Sequence, residues 1–299
     1  MYELKALGEC TYYIDCPSKI GIIRKEKEVI LVDGGSSKDS AKKTLKAVSD
    51  EGWTVKSIII THSHADHIGG VKYLADNTGA RVYAKGAECD FTRHTYLEGA
   101  YIWGGFPHKD LRSHFFLAPP CGVLSIEEFE EEGVSIIDLP GHSFDQIGVK
   151  VSDGTVFVAD ALASEATLEK YGVSFLYDVK SYLETLEKLK TLDGKVFLPS
   201  HNEPQRSITN LAEKNVEKTL EICECIVELL DTPLTFDELL KGVFDRYSLI
   251  LSTGQYSLVG ATLRSYVSYL WDEGRIEPVI DDNLMKWKGT VKRLGLPLF

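Results

Sequence analysis

Thr61-His62-Ser63-His64-Ala65-Asp66-His67-Ile68-Gly69-Gly70 is the stretch that decides how this chain is read. Three imidazoles and one carboxylate fall within six residues, His62 to His67. The run just before it, Ile58-Ile59-Ile60, is β-branched and uninterrupted, as in a strand buried on both faces. Ile68–Asn77 follows with helical spacing. The cluster therefore sits on a loop at the carboxyl end of a strand, where all four side chains can turn inward, as on neither a helix nor a strand. Histidine and aspartate at this density are ligands for zinc, iron or manganese. Gly69-Gly70 lets the backbone fold tightly back onto the sheet.

The 299 residues suffice for one large domain or about two smaller ones. There are 33 basic and 45 acidic residues, a net −12, which excludes broad electrostatic capture of nucleic acid because a phosphate backbone needs a basic footprint. An apolar fraction of 43% with 26% charged residues excludes long disorder, collagen and a membrane bundle. The longest apolar runs are strand-sized, so no membrane association is expected. Cys10, Cys16, Cys89, Cys121, Cys223 and Cys225 contain no Cys-x-x-Cys pair and read as reduced, small core residues. Met1-Tyr2-Glu3-Leu4-Lys5 has neither the apolar stretch nor the cleavage site of a signal peptide. The expected location is cytoplasmic.

Working outward from the histidines, Ile20–Arg24 and Val29–Asp33 read as strands, the second ending at Gly34-Gly35. Ser40–Glu51 is helical. Residues 86–133 lose periodicity and gather aromatics, among them Phe91, Tyr101, Trp103 and Phe115. Order returns with strands at Val134–Leu139, Ile147–Val151 and Thr155–Ala159, a helix at Tyr182–Lys190 and a strand at Lys195–Leu198. This irregular mixing of strands and helices favours a layered α/β sandwich. From about Pro204 the pattern changes to helices: Ile208–Leu230, Thr235–Phe244 opened by a Thr235/Glu238 capping box, and Val259–Glu273. Arg275–Pro278 and Leu284–Lys288 then form a hairpin, so the tail reads as winged-helix-like. The expected division is a catalytic domain over 1–204 and a mostly helical domain over 205–299.

His62, His64, Asp66 and His67 match the His-x-His-x-Asp-His motif, and the sequence resembles the metallo-β-lactamase superfamily. Further positions resemble that family in order and spacing across about residues 1–204. Leu139-Pro140-Gly141-His142-Ser143 resembles its downstream histidine motif. Val156-Phe157-Val158-Ala159-Asp160 resembles the strand that ends in its bridging carboxylate. Leu198-Pro199-Ser200-His201 resembles the strand that ends in its last ligand, and Val32-Asp33-Gly34-Gly35 its early Asp-Gly. The resemblance implies an αββα sandwich holding two divalent metal ions, zinc first, with iron or manganese as alternatives. His62, His64 and His142 would hold one ion; Asp66, His67 and His201 the other; Asp160 would bridge them with a hydroxide. Asp66 would also orient that hydroxide, and Asp33 would orient a ligand from behind. Where many relatives have a glycine shortly after the histidine matched by His142, this chain has Asp145, whose carboxylate either sustains the turn or reaches the pocket.

The implied activity is metal-dependent hydrolysis of a small ester, thioester, lactone or related bond, closest to a glyoxalase-II-like branch. The alternatives are a mononuclear-iron sulfur dioxygenase and a phosphodiesterase or RNA-processing hydrolase on the same fold. Residues 205–299 hold 11 basic against 14 acidic residues, net −3, which is poor for a nucleic-acid-binding tail. The expected partner is a small-molecule substrate, and a homodimer is a further expectation. His94, His108 and His114 lack ligand spacing, and the 86–133 segment reads as a substrate wall or as packing.

Overall fold

The computed structural model describes residues 2–290. Met1 and the last nine residues of the expected 205–299 part lie outside that range. Seven strands form the first sheet in chain order: β1 (Glu3–Ala6), β2 (Thr11–Asp15), β3 (Ile20–Lys25), β4 (Glu28–Val32), β5 (Thr54–Ile59), β6 (Arg81–Ala84) and β7 (Leu124–Ser125). β1 to β4 are an antiparallel meander; β4 to β7 run parallel. The second sheet contains β8 (Val134–Asp138), β9 (Ile147–Val151), β10 (Thr155–Ala159) and β11 (Val196–Pro199), in the order β11-β10-β9-β8. Only its β10–β11 pair is parallel.

Side-chain alternation makes the layers. Ile23, Ile30 and Ile59 point from the first sheet into a shared core with Val149, Val151 and Phe157 of the second. Their neighbours Ile22, Leu31 and Ile58 point the other way, against α1 (Lys38–Asp50), α2 (Ala65–Ile68) and α3 (Val71–Thr78). Ile58, Ile59 and Ile60 are all fully buried, as the sequence predicts for a parallel strand covered on both faces.

The outer face of the second sheet is covered by helices from both halves of the chain. The first, residues 1–204, supplies α7 (Val179–Lys190) there; its α6 (Glu165–Tyr171) and α5 (Tyr96–Trp103) lie beside the tail helices, and its α4 (Gly86–Arg93) packs against β6 and β7 of the first sheet. The second supplies α8 (Thr209–Leu229), α9 (Phe236–Arg246) and α10 (Thr253–Asp272). Leu186 and Leu189 of α7 share one core with Ile222 of α8, Leu239 of α9 and Leu263 of α10. The helical tail is thus packed on the sandwich. Its capping box forms as expected: Thr235 Oγ1 accepts from Glu238 N, and Glu238 Oε2 accepts from Thr235 N at 2.8 Å. β12 (Ile276–Asp281) and β13 (Leu284–Gly289) close the described chain as an antiparallel hairpin. Its turn residues Asp282 and Asn283 both have positive φ, as a two-residue hairpin loop needs.

The 86–133 stretch is more regular than its sequence suggests, since it contains α4 and α5. Neither has a long apolar stripe. α5 is held instead by tertiary contact, with Ile102, Leu111 and Phe116 packed against Leu258 and Ala261 of α10. Among the described residues no helix is long and apolar enough to cross a membrane.

Candidate metal centre

The carboxyl ends of β4, β5, β10 and β11 meet along one edge of the sandwich. His62 and His64 follow β5 on a loop. Asp66 and His67 lie on the single turn of α2, a correction to the expectation that all four share the loop; His64 O accepts from His67 N and Ile68 N and starts that turn early. The return is as tight as Gly69-Gly70 implies. A Cβ at Gly69 would lie 2.3 Å from Ser36 O, and one at Gly70 2.2 Å from Gly34 O. Asp160 directly follows β10, and its neighbour Ala159 has φ +51°, a conformation uncommon for any residue but glycine. β10 and β11 are parallel neighbours, which sets Asp160 beside His201.

All seven expected ligands converge in two sets, His62/His64/His142 and Asp66/His67/Asp160/His201. Asp160 Oδ2 belongs to the second but touches both. It lies 3.4 Å from His67 Nε2, 3.2 Å from His201 Nε2, 3.7 Å from His142 Nε2 and 4.0 Å from His62 Nε2. His62 Nε2, His67 Nε2 and Asp160 Oδ1 are buried without a hydrogen-bond partner among the described residues. Buried polar atoms are rarely left so. Three imidazoles on one side and imidazole with carboxylate on the other form a donor set that fits two divalent cations.

Most of the imidazoles are aimed from behind. His67 Nδ1 donates to Asp33 Oδ2 at 2.8 Å, and Asp33 is held by Thr61 N and Thr61 Oγ1, both at 2.8 Å. Asp33 thus lies behind the His67 ring, on the side away from its Nε2. His142 Nδ1 and His201 Nδ1 donate to Phe175 O and Pro17 O. Ser18 Oγ donates to Asp66 Oδ2 at 2.6 Å. Such partners fix ring orientation and raise ligand basicity. Asp33→Asn is therefore expected to weaken metal binding by about ten- to hundredfold with the fold kept, read by competition with a chromophoric chelator.

The two sets differ in charge. Burial and the neighbouring His142 push His64 down to about 3, and burial also lowers His62 and His142. The three-histidine set is therefore neutral and ready for a cation. In the other set Asp160 pushes His201 up to about 10 against the effect of burial. Burial lowers His67 too, but Asp66, Asp160 and Asp33 raise it well above its ordinary range. A metal entering here displaces protons, so its affinity should rise with pH to at least about 10, while the three-histidine set, with all its imidazoles shifted below their ordinary range, is indifferent once pH is above that range. Calorimetry in buffers of different ionisation enthalpy checks this: the tighter-binding ion should release no proton and the second at least one.

One residue of the centre is missed by the sequence reading. Glu88 of α4 is fully buried. Its Oε2 accepts from Ser63 N at 2.8 Å and Ser63 Oγ at 2.5 Å; its Oε1 accepts from Ser143 Oγ at 2.6 Å and Asp145 N at 3.0 Å. One carboxyl thus ties the His62–His64 loop to the loop after His142. The signal lies in the serines, one following His62 and one following His142, both needing a buried acceptor. Asp145 sustains its turn and sends its carboxylate to Ala87 N at 2.8 Å, away from the pocket. His94, His108 and His114 belong to neither ligand set. Glu98, also unforeseen, lines the cavity beside the centre; burial, with Asp66 and Glu88 nearby, holds its carboxyl well above the usual range.

A family model for the Metallo-beta-lactamase superfamily matches residues 13–201, and the chain belongs to that superfamily. It is 25% identical over 263 residues to the Probable metallo-hydrolase YqjP of Bacillus subtilis, covering 74% of this chain and 78% of that protein. It is 34% identical over 121 residues to a Hydroxyacylglutathione hydrolase of Rhodopseudomonas palustris, 40% of this chain and 39% of that one. The crystal structure of a Beta-lactamase domain protein from Burkholderia ambifaria matches with a TM-score of 0.75 at 16% identity, over 96% of this chain and 94% of that one. At that identity the likeness shows the fold. The match spans 61% of the length of a Drosophila melanogaster relative and 39% to 52% of three hydroxyacylglutathione hydrolases.

Proposed function

We propose that this chain is a hydrolase holding two divalent metal ions, zinc first, and cleaving a small ester, thioester, lactone or related bond. The observation that carries this reading is Asp160 Oδ2, which lies within 4.0 Å of histidines from both sets. When bound, the metal pair supplies Lewis acidity and lowers the pKa of water towards about 7. The chain's own residues do the positioning. Asp33 holds His67 in one tautomer. Asp66, steadied by Ser18 Oγ, is assigned a second task, accepting a hydrogen bond from the attacking water. No serine or cysteine nucleophile is needed. The names of the relatives, metallo-hydrolase and hydroxyacylglutathione hydrolase, favour a hydrolase of the thioester kind.

Metal quantification followed by a panel of ester, thioester, lactone and phosphodiester substrates tests the reading. Two zinc ions per chain with ester or thioester turnover is the expected result. A single iron per chain with oxygen uptake would sink the hydrolase in favour of an oxidoreductase. Retained metal with no turnover across the panel would turn the reading to a binding role.

A further inference from the structure

Beside the metal ligands opens a cavity of about 570 Å³, within the size range of small-molecule sites. His64, Asp66, His142, Asp160 and His201 stand on its wall. The rest of the wall comes from segments far apart in sequence and is largely apolar: Ile102 of α5, Leu162, Val173 and Phe175 around α6, and Leu258 and Val259 of α10. The helical tail thus contributes directly to the cavity. Glu98 joins this wall nine-tenths buried, and among the described residues no hydrogen bond engages its carboxyl. Lys170 is the one lysine or arginine on the wall, and it lies exposed on α6 with Nζ 4.6 Å from the Tyr171 ring.

We propose that this cavity seats an uncharged, apolar acyl group, running from the metal ligands to the Leu258–Val259 face of α10. The substrate class is then a medium-chain acyl thioester or ester. This rests on the hydrolase reading of the metal centre. An apolar chain gains from leaving water here, by up to about fourfold per methylene. A carboxylate at the far end of the same chain would lose its hydration against an apolar face with no buried cation to receive it.

The test uses metal-loaded protein and N-acetylcysteamine thioesters with acetyl, butyryl, octanoyl and suberoyl groups; the last is an octanoyl chain ending in a carboxylate. The specificity constant kcat/KM is expected to rise at least about a hundredfold from acetyl to octanoyl, and to fall back towards the acetyl value for suberoyl. Titration with 1-octanol gives a second readout: binding with a negative heat-capacity change, weakened tenfold or more by Leu258→Asp. If that variant fails to fold by circular dichroism, Leu258→Trp, which fills the cavity, replaces it. Acetyl turnover with no gain on lengthening, or suberoyl as good as octanoyl, overturns the acyl pocket and leaves the hydrolase standing. If nothing is turned over here or across the ester and lactone panel, the hydrolase reading fails, and octanol decides the cavity alone: binding lost in the Leu258 variant supports an apolar ligand, and no binding overturns it.

Discussion

Asp160→Ala is expected to retain at most one metal ion per chain and to lose at least about a thousandfold in kcat/KM on the best ester or thioester. Its Oδ2 is within 4.0 Å of His62 and His142 on one side and of His67 and His201 on the other. Removing a group that merely orients a ligand costs about ten- to hundredfold. Removing the carboxylate between the two sets costs more, because several kcal/mol of charge stabilisation leave with the metal. The fold should survive, since β10 is held on one side by β9 and on the other by β11. Elemental analysis, steady-state kinetics and circular dichroism on the same preparation check all three statements. Wild-type metal content and turnover would refute the assignment.

Glu88→Ala should have the second-largest effect, on stability as well as on metal binding. Truncation strands the buried N–H of Ser63, the half-buried N–H of Asp145 and the hydroxyls of Ser63 and Ser143. An unsatisfied buried donor costs about 1–3 kcal/mol, so a loss of about 3 kcal/mol or more is expected even if the hydroxyls find other partners. The urea midpoint reads this directly. Metal affinity should drop at least about tenfold, because the loops bearing His64 and His142 lose their common anchor. Glu88→Gln keeps the shape but turns one acceptor into a donor, and should fall between wild type and Ala. An unchanged midpoint together with unchanged metal affinity would mean that Glu88 anchors neither loop.

The candidate metal centre was legible in the sequence because its chemistry is concentrated. His62, His64, Asp66 and His67 lie in one short run, and Ile58-Ile59-Ile60 announces a doubly covered strand. His142, Asp160 and His201 could be placed only through the family resemblance, since each is a lone residue at a strand end. Glu88 carried no local mark: it accepts from loops distant in sequence and lies where periodicity is weak. The same holds for α4 and α5, whose order comes from tertiary packing. The helix Glu165–Tyr171 escaped reading because none of its residues is buried, so it shows no core-facing stripe. α10 begins several residues before its apolar pattern does, at an N-cap on Ser252 whose hydroxyl accepts from Gln255 N.

The origin of the ligands has a consequence for the whole chain. His62, His64, Asp66 and His67 are delivered by the first sheet and its helix, while His142, Asp160 and His201 follow strands of the second. A cation held among them is a rivet across the seam of the sandwich, available only once the two halves have met. By mass action it favours the assembled chain by about 2.7 kcal/mol when free metal stands a hundredfold above its Kd. Metal supply would then govern how long the molecule survives heating as well as how fast it turns over. A chelator would act on it as a denaturant, lowering Tm in step with the metal withdrawn.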